Sequence, residues 1–223
     1  MRIVRNTEHM DLVLDTDKSE LTIVQRWKCD FLTIGRHAGR WTEMDELTFL
    51  YNARKIINST WGNKAYVQTS FGCFSDFAMA HCRKKFIINP QISFIEADPH
   101  WTVKIFKARP GGVDEDQAWV SWTSREMYLT SEAILQFRHM EHGDDDTPGA
   151  QYHIVGHEFG HTLGNVDYLK SGSGDEYYPG HPKEHDRLSV MNKGSEIRTR
   201  HFRHIKKVLK QMCPDTDFTV RIR

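Results

Sequence analysis

The sequence predicts an α+β fold in which a mixed β-sheet packs against one long helix. In the first half of the chain, stretches rich in β-branched and aromatic residues surround a single helical segment. In the second half, two helical segments flank a long irregular loop. We expect a single domain over residues 1–223, with a sheet-and-helix part over about 1–147 and a helix–loop–helix part over about 148–223.

The long helix is predicted over about 43–60, where Leu47, Leu50, Ile56 and Ile57 recur near the helical period. Loops are expected at 109–117 and 142–147, where proline, glycine and aspartate cluster. The predicted strands are ELTIVQRW, CDFLTIG, KAYVQTSF, KKFIINPQISFIEA, WTVKIFKA and AWVSWTSREMYLT.

A second helix is predicted over about 148–163. Thr147 can cap its first turn, Pro148 fits its first position, and Gly164 is a natural stop. Its apolar stripe recurs every four residues, at Val155, Phe159 and Leu163. The last helical segment is predicted over 195–212.

Composition excludes several classes of protein. Hydrophobic residues make up 39% of the chain, and the 30 basic side chains equal the 30 acidic ones. A neutral chain has no global attraction to nucleic acid, and no apolar run is long enough for membrane insertion. We see no signal peptide, so the expected location is the cytoplasm or a non-Sec export route. The four cysteines form no C-x-x-C pair, although Cys73 and Cys82 are near enough in sequence for a disulfide.

The stretch VGHEFGHTLGNVD predicts a metal site. His157 and His161 are four residues apart on one helix face, where two imidazoles can converge on one cation. Glu158 follows the first histidine directly, so it is rotated away from the metal but can reach a water bound there. This arrangement predicts one catalytic zinc ion, with Glu158 as general base and acid in hydrolysis.

The wider pattern HEFGHTLGNVD followed by SVMN resembles the metzincin zinc peptidases. The match runs over His157, Glu158, His161, Gly164 and Asp167, with aspartate in the place of the third ligand. The resemblance implies a zincin-like fold with an active-site helix and a C-terminal helix. It also implies that Met191 is the residue of a methionine turn beneath the metal.

The third metal ligand is left open between several residues. Asp167 is the first choice, and a loop-capping role is its ordinary alternative. Glu196, which opens the last helical segment, is the second choice because some zincins use a distant glutamate. The remaining candidates are histidines, at His181, His185 and His201.

The loop between the metal helix and the Met-containing turn has its own candidates. Its tyrosines at Tyr168, Tyr177 and Tyr178 are candidates for stabilising a developing oxyanion or for contacting substrate. Its acids at Asp175, Glu176 and Asp186 are of the type that binds calcium, but their spacing matches no defined calcium loop.

The pattern from HEFGHTLGNVDY to SVMNKGSEIRTRHF also resembles a bacterial group of metallopeptidase toxin domains. These are the C-terminal domains of type VI secretion spike proteins and Rhs-type polymorphic toxins. The resemblance implies a secreted antibacterial or anti-host effector that acts on a protein or peptide substrate. It further implies a cognate immunity protein as a partner.

We therefore expect a zinc-dependent endopeptidase. The alternative within the enzyme class is an amidohydrolase of peptidoglycan cross-links, which would share the metal chemistry. A module in which zinc only staples the fold is a further alternative, as is an interaction protein without a metal. The intact Glu158 disfavours the zinc staple, because a purely structural site has no use for a carboxylate beside its ligands.

Overall fold

The structure is a computed structural model, and it describes residues 1–33, 39–107, 118–138, 151–169, 172 and 174–223. The predicted loops 109–117 and 142–147 lie outside the described residues. The helices are α1 (Glu43–Trp61), α2 (Asp76–Ala80), α3 (Ile154–Thr162) and α4 (Arg203–Met212), with a 3₁₀ helix at Thr199–Phe202 before α4. The strands are β1 (Arg2–Asn6), β2 (Asp11–Asp15), β3 (Glu20–Thr33), β4 (Ala65–Thr69), β5 (Phe86–Phe94), β6 (Trp101–Lys107), β7 (Trp119–Ser121), β8 (Glu126–Thr130), β9 (Phe137–Arg138), β10 (Gln151–Tyr152) and β11 (Phe218–Ile222).

Nine of the described strands form one mixed sheet, which confirms the α+β class. The main path runs β11-β4-β5-β3-β6-β8-β7, and the hairpin of β1 and β2 joins through β2 to β3. Strand β3 is parallel to both β5 and β6, whereas the outer pairs β11–β4 and β7–β8 are antiparallel. Helices α1 and α3 pack against each other, α1 over β5 and α3 over β7 and β8.

The long helix α1 confirms its prediction, and two of the predicted apolar positions, Ile56 and Ile57, are buried. Its start is fixed by a capping box, in which Thr42 and Asp45 satisfy each other's backbone amides. Leu47 is 54% exposed, so it lies outside the core. The complete buried face consists of Phe49, Ala53, Ile56, Ile57 and Trp61.

The ends of strands were predicted wrongly in two regions of the chain. ELTIVQRW and the described part of CDFLTIG belong to the single strand β3. The two halves of this strand pair with different neighbours, β5 over 20–27 and β6 over 27–33. AWVSWTSREMYLT is a hairpin of β7 and β8, and its turn contains Arg125 at a φ of 55°. Strands β1, β2 and β11 and the short helix α2 were not predicted.

Helix α3 lies in the centre of the molecule, and all nine of its residues are buried. It begins at Ile154, later than predicted, because residues 151–152 form strand β10 instead. The proposed caps Thr147 and Pro148 lie outside the described residues. The predicted stop is confirmed, since Gly164 follows the helix with a φ of +93°, a conformation that favours glycine.

Buried polar contacts hold α3 against the sheet and against α1. Gln25 of β3 is fully buried and exchanges hydrogen bonds with Thr162, at 3.0 and 3.1 Å. The indole Nε1 of Trp61 donates to the carbonyl of Gly156 at 2.8 Å. Because unsatisfied buried polar groups are costly, these bonds fix the rotation of α3 about its axis.

The last helical segment is shorter than predicted. Residues 195–198 are not helical, and helix α4 begins only after the 3₁₀ helix. All four cysteines are free, so the disulfide between Cys73 and Cys82 that their spacing allowed is not formed. No helix in the described residues combines the length and the apolar character that crossing a membrane requires.

The close packing of α3 predicts the effect of a small substitution. A Cβ atom at Gly160 would overlap the sulfur of Met191 and lie 2.9 Å from the ring of Trp61. We expect Gly160→Ala to lower the free energy of unfolding by about 1–2 kcal/mol, because this overlap outweighs the better helix propensity of alanine.

Urea unfolding followed by circular dichroism measures this change. The control is Thr48→Ala on the exposed face of α1, which should change the unfolding free energy by less than about 0.5 kcal/mol. Equal stability of the Gly160→Ala protein and the wild type would contradict the close approach of Met191.

Candidate metal centre

His157 and His161 point their Nε2 atoms at the same place, as the four-residue spacing predicted. The two atoms are 3.2 Å apart, and both side chains are largely buried. A nitrogen of each histidine and a carboxylate oxygen of Glu158 lie within 4.8 Å of one another. This is a buried group that could hold a metal ion.

Backbone carbonyls hold the proton of each imidazole on Nδ1, the nitrogen that faces away from the other histidine. Nδ1 of His157 donates to the carbonyl of Val190 at 2.7 Å, and Nδ1 of His161 donates to the carbonyl of Asn165 at 2.5 Å. A carbonyl can only accept, so in the neutral imidazoles both Nδ1 atoms carry the proton. The Nε2 atoms are then two lone pairs that face each other.

The carboxylate that meets these two nitrogens belongs to Asp175. Its Oδ1 lies 2.8 Å from Nε2 of His157 and 3.0 Å from Nε2 of His161. Three acceptors therefore converge, and only a cation or a proton can hold them together. Sequence reasoning considered Asp175 only for calcium, because it lies 14 residues beyond His161 in a loop without periodicity.

The pKa values reflect the same convergence. Burial disfavours the charged imidazole of His161, but Asp175 and Glu158 overcome it and raise its pKa to about 9. Burial also works to raise the pKa of Asp175, yet the two histidines hold it well below its ordinary value. The site thus strongly favours one positive charge between the imidazoles and the carboxylate.

Asp167, the predicted third ligand, occupies a different position. It is exposed, and it lines the same cavity of about 460 Å³ as Glu158 and His161. Its carboxylate lies against the backbone of Gly174, where a Cβ atom would overlap it. The structure therefore places Asp167 at the rim of this cavity, beside the loop that carries Asp175.

The other candidate ligands lie away from the two Nε2 atoms. The carboxylate of Glu196 pairs with Arg198 at 2.8 Å and is 55% exposed. His201 is buried, but its Nδ1 accepts from the backbone amide of Arg198 and its Nε2 is 3.2 Å from Ser189. His185 is 92% exposed, and His181 accepts from the amide of Lys183.

Glu158 has the properties expected of a functional carboxylate. Its side chain is buried, and among the described residues its Oε2 has no hydrogen-bond partner. Burial raises its pKa above the ordinary value, against the lowering effect of the two histidines. A buried carboxylate oxygen without a partner costs stability, which marks it for a role other than packing.

Met191 lies under α3, as expected for a residue beneath the metal. It is fully buried, and its sulfur is packed against Gly160, one residue before His161. The residue before it, Val190, supplies the carbonyl that fixes His157. The turn around Met191 therefore packs beneath the helix and also orients the imidazole of His157.

An ionic cluster anchors the loop that carries Asp175. Glu176 is fully buried and makes a two-pronged ion pair with Arg200, both bonds 2.6 Å long. Arg200 also binds Asp186, which in turn makes a two-pronged pair with Arg198. These arginines neutralise Glu176 and Asp186, which argues against the calcium interpretation of the two acids.

The candidate tyrosines line the cavity at different depths. The rings of Tyr177 and His157 lie 6.2 Å apart, and Tyr177 also contacts Tyr178 at 4.7 Å. Burial and the charge of Asp175 raise the pKa of Tyr177, so its hydroxyl keeps its proton. Tyr168 is 60% exposed and lines the outer part of the same cavity.

Comparison with known proteins adds no relative: no family model, no curated protein and no solved structure matches this chain.

The ionic cluster predicts a pH-dependent stability. Hydrogen bonds from Arg198, with burial opposing and Arg200 assisting, lower the pKa of Asp186 below its ordinary 3.8. A lowered carboxyl pKa stabilises the fold above the ordinary value, and this contribution is lost as the pH falls through the lowered value. We expect Asp186→Asn to cost about 1–2 kcal/mol at pH 7, since the group is partly exposed.

Urea unfolding between pH 7 and pH 3 tests this expectation. The difference between the wild type and Asp186→Asn should be constant near neutrality and shrink below about pH 4. A difference that stays constant throughout this range would mean that the charge of Asp186 does not stabilise the fold.

Proposed function

We propose that this protein is a zinc-dependent endopeptidase with a zincin-like arrangement of its metal helix. The observation that carries the proposal is the convergence of His157, His161 and Asp175 beside the unpartnered oxygen of Glu158. Two imidazoles and one carboxylate suit zinc, and three protein ligands leave a coordination position open, as catalytic zinc sites require.

In this proposal His157, His161 and Asp175 hold the ion, and Asp175 takes the role for which Asp167 was the first choice among several candidates. When bound, zinc acts as a Lewis acid and lowers the pKa of water to about 7. Glu158 accepts the proton of the attacking water and passes it to the leaving amine. Its raised pKa suits this exchange, since a proton held too weakly could not be delivered.

Two features of the cavity support a peptide substrate. The lining includes Trp119 and Val120 of β7, the last strand on that side of the described sheet. A free strand edge offers backbone amides and carbonyls to an extended peptide. Tyr177 lies beside His157 with a protonated hydroxyl, which suits a hydrogen bond to the oxyanion that forms from the peptide carbonyl.

The role of the protein in the cell stays a prediction from the resemblance to toxin domains. That resemblance is the basis for proposing an effector that is delivered by a secretion machine and restrained by an immunity protein. Digestion of casein, compared with digestion of purified peptidoglycan, separates the endopeptidase from the amidohydrolase alternative.

Replacement of Glu158 tests its assigned role. We expect Glu158→Gln to lower kcat/KM on casein-derived peptides by about 10²–10⁴-fold, because the proton acceptor is lost. Zinc content measured by elemental analysis should stay near one ion per chain. The control Glu43→Gln, in the exposed first turn of α1, should keep full activity. An active Glu158→Gln enzyme would refute the general-base assignment.

A second set of variants tests the third ligand. Asp175→Ala should weaken zinc binding by more than about a hundredfold. This exceeds the loss expected for a residue that only hydrogen-bonds to a metal ligand. Asp167→Ala and Glu196→Ala should bind zinc like the wild type, because their carboxylates face Gly174 and Arg198 instead. Competition with a fluorescent zinc chelator gives the affinities. Loss of zinc in Asp167→Ala alone would restore the metzincin pattern.

A further inference from the structure

A second cavity lies at the other end of the β7–β8 hairpin from the metal centre. Its volume is about 650 Å³, whereas the cavity beside Glu158 has a volume of about 460 Å³. Its walls come from the end of β1 and the turn that follows it, from β3, from the segment before β6, from the turn between β7 and β8, and from one face of α4. Because five separate segments build it, this cavity is a feature of the whole fold.

The charge of this cavity is unbalanced. The formally charged side chains in its lining are four cations, Arg5, Arg26, Arg125 and Lys207, and two acids, Glu8 and Asp98. The excess of two positive charges stands out in a chain whose formal net charge is zero.

Three of the four cations have no ion-pair partner within the described residues. Arg26 is engaged, since it binds Asp11 at 2.5 Å and lies 3.7 Å from Asp98. The side chains of Arg5 and Lys207 make no ion pair or hydrogen bond in the described part of the chain. Arg125 donates only a long bond of 3.4 Å, to a backbone carbonyl.

Some cations elsewhere in the described chain, such as Arg200, Lys104 and Lys107, each hold a carboxylate at 2.6–2.7 Å. Others, such as the exposed Lys55 and Lys64, make no ion pair with the described residues, but they lie outside this cavity. Arg5, Arg125 and Lys207 differ because all three line the same cavity. A concentration of unpaired cations around a concave surface raises the local potential and attracts anions.

The floor of the cavity consists of packed aromatic and imidazole rings. Trp122 is buried, stacks on His9 at 3.8 Å and meets the edge of His204 at 5.2 Å. Burial lowers the pKa of His9, and burial with the nearby charges of His9 and Lys207 lowers the pKa of His204 to about 4. Both imidazoles are therefore neutral near pH 7. The single N–H of His9 donates from Nε2 to the carbonyl of Trp122 at 3.0 Å, so His204 is the imidazole of this floor that is left to donate to a ligand.

We propose that this pocket binds a small phosphate-class oxyanion, held by Arg125, Lys207 and Arg5 over the floor of Trp122 and His204. Charge-assisted hydrogen bonds from guanidinium and ammonium groups are the strong interactions that recognise such anions. A concave pocket with three unpaired cations fits a small anion better than an extended polyanion, which needs a long basic stripe. The proposal does not depend on the proposed peptidase activity.

Isothermal titration with inorganic phosphate at constant ionic strength tests the proposal. We expect saturable binding of one phosphate per chain to the wild type. Arg125→Gln combined with Lys207→Gln should raise the Kd by at least about tenfold, which corresponds to the loss of one good ionic contact. The matched control combines Lys55→Gln with Lys64→Gln, two exposed lysines elsewhere, and should change the Kd by less than about twofold.

The control also separates this pocket from the metal centre. Phosphate held by a metal ion would still bind to the Arg125→Gln/Lys207→Gln protein, and equal binding there would overturn the proposal. An equal loss in the lysine control would also overturn it, because the effect would then be one of net charge. Binding of anionic vesicles or oligonucleotides without binding of phosphate would overturn it in favour of a larger partner.

A second measurement needs no variant and covers the case in which the double substitution disturbs folding. Phosphate binding should shift the imidazole NMR signals of His9 and His204 in the wild type. The signals of His153 and His185, which lie outside the cavity lining, should not move. Unchanged signals of His9 and His204 at saturating phosphate would overturn the proposal.

Discussion

Two hydrogen bonds to backbone carbonyls determine which nitrogens the candidate metal centre can offer to a cation. The carbonyls of Val190 and Asn165 hold the protons of His157 and His161 on Nδ1, which leaves both Nε2 atoms as lone pairs. Without these bonds, either imidazole could rotate or change tautomer and donate to Asp175 as a neutral group. Because the carbonyls belong to the turn at Met191 and to the end of α3, the geometry of these two segments is part of the site.

The candidate ligand set comes from distant parts of the chain, and its carboxylate is supplied by the loop of Asp175. The described residues next to Asp175 in this loop form no helix or strand, so its position depends on side-chain anchors. Its neighbour Glu176 is buried against Arg200, and the amide of Glu176 donates to the carbonyl of Met191 at 2.8 Å. The ionic cluster therefore connects the carboxylate ligand to the same turn that orients His157.

Local patterns were enough to predict the helical half of the site. The helical period and the H-E-x-x-H spacing located α3, its stop at Gly164 and the two converging imidazoles. The same period located α1 and its buried Ile56 and Ile57, but not its complete buried face, since Leu47 is exposed and Phe49 is buried. That face includes Trp61, whose hydrogen bond to α3 is a long-range contact that no local pattern contains.

The carboxylate half of the site could not be predicted from the sequence. Asp175 contacts the two histidines because its loop returns to α3. Its separation of 14 residues from His161 does not predict that contact. Asp167 matched a family pattern, yet its carboxylate faces Gly174. The β7–β8 hairpin was missed for a related reason, since Trp122 and its neighbours read as continuous strand while the turn depends on Arg125 with positive φ.

The complete burial of α3 has a consequence for the proposed metal site. Both imidazoles are preorganised, because the helix that carries them has little conformational freedom to lose. The entropy cost of ordering the site on metal binding would fall mainly on the loop of Asp175, whose side chain is 22% exposed.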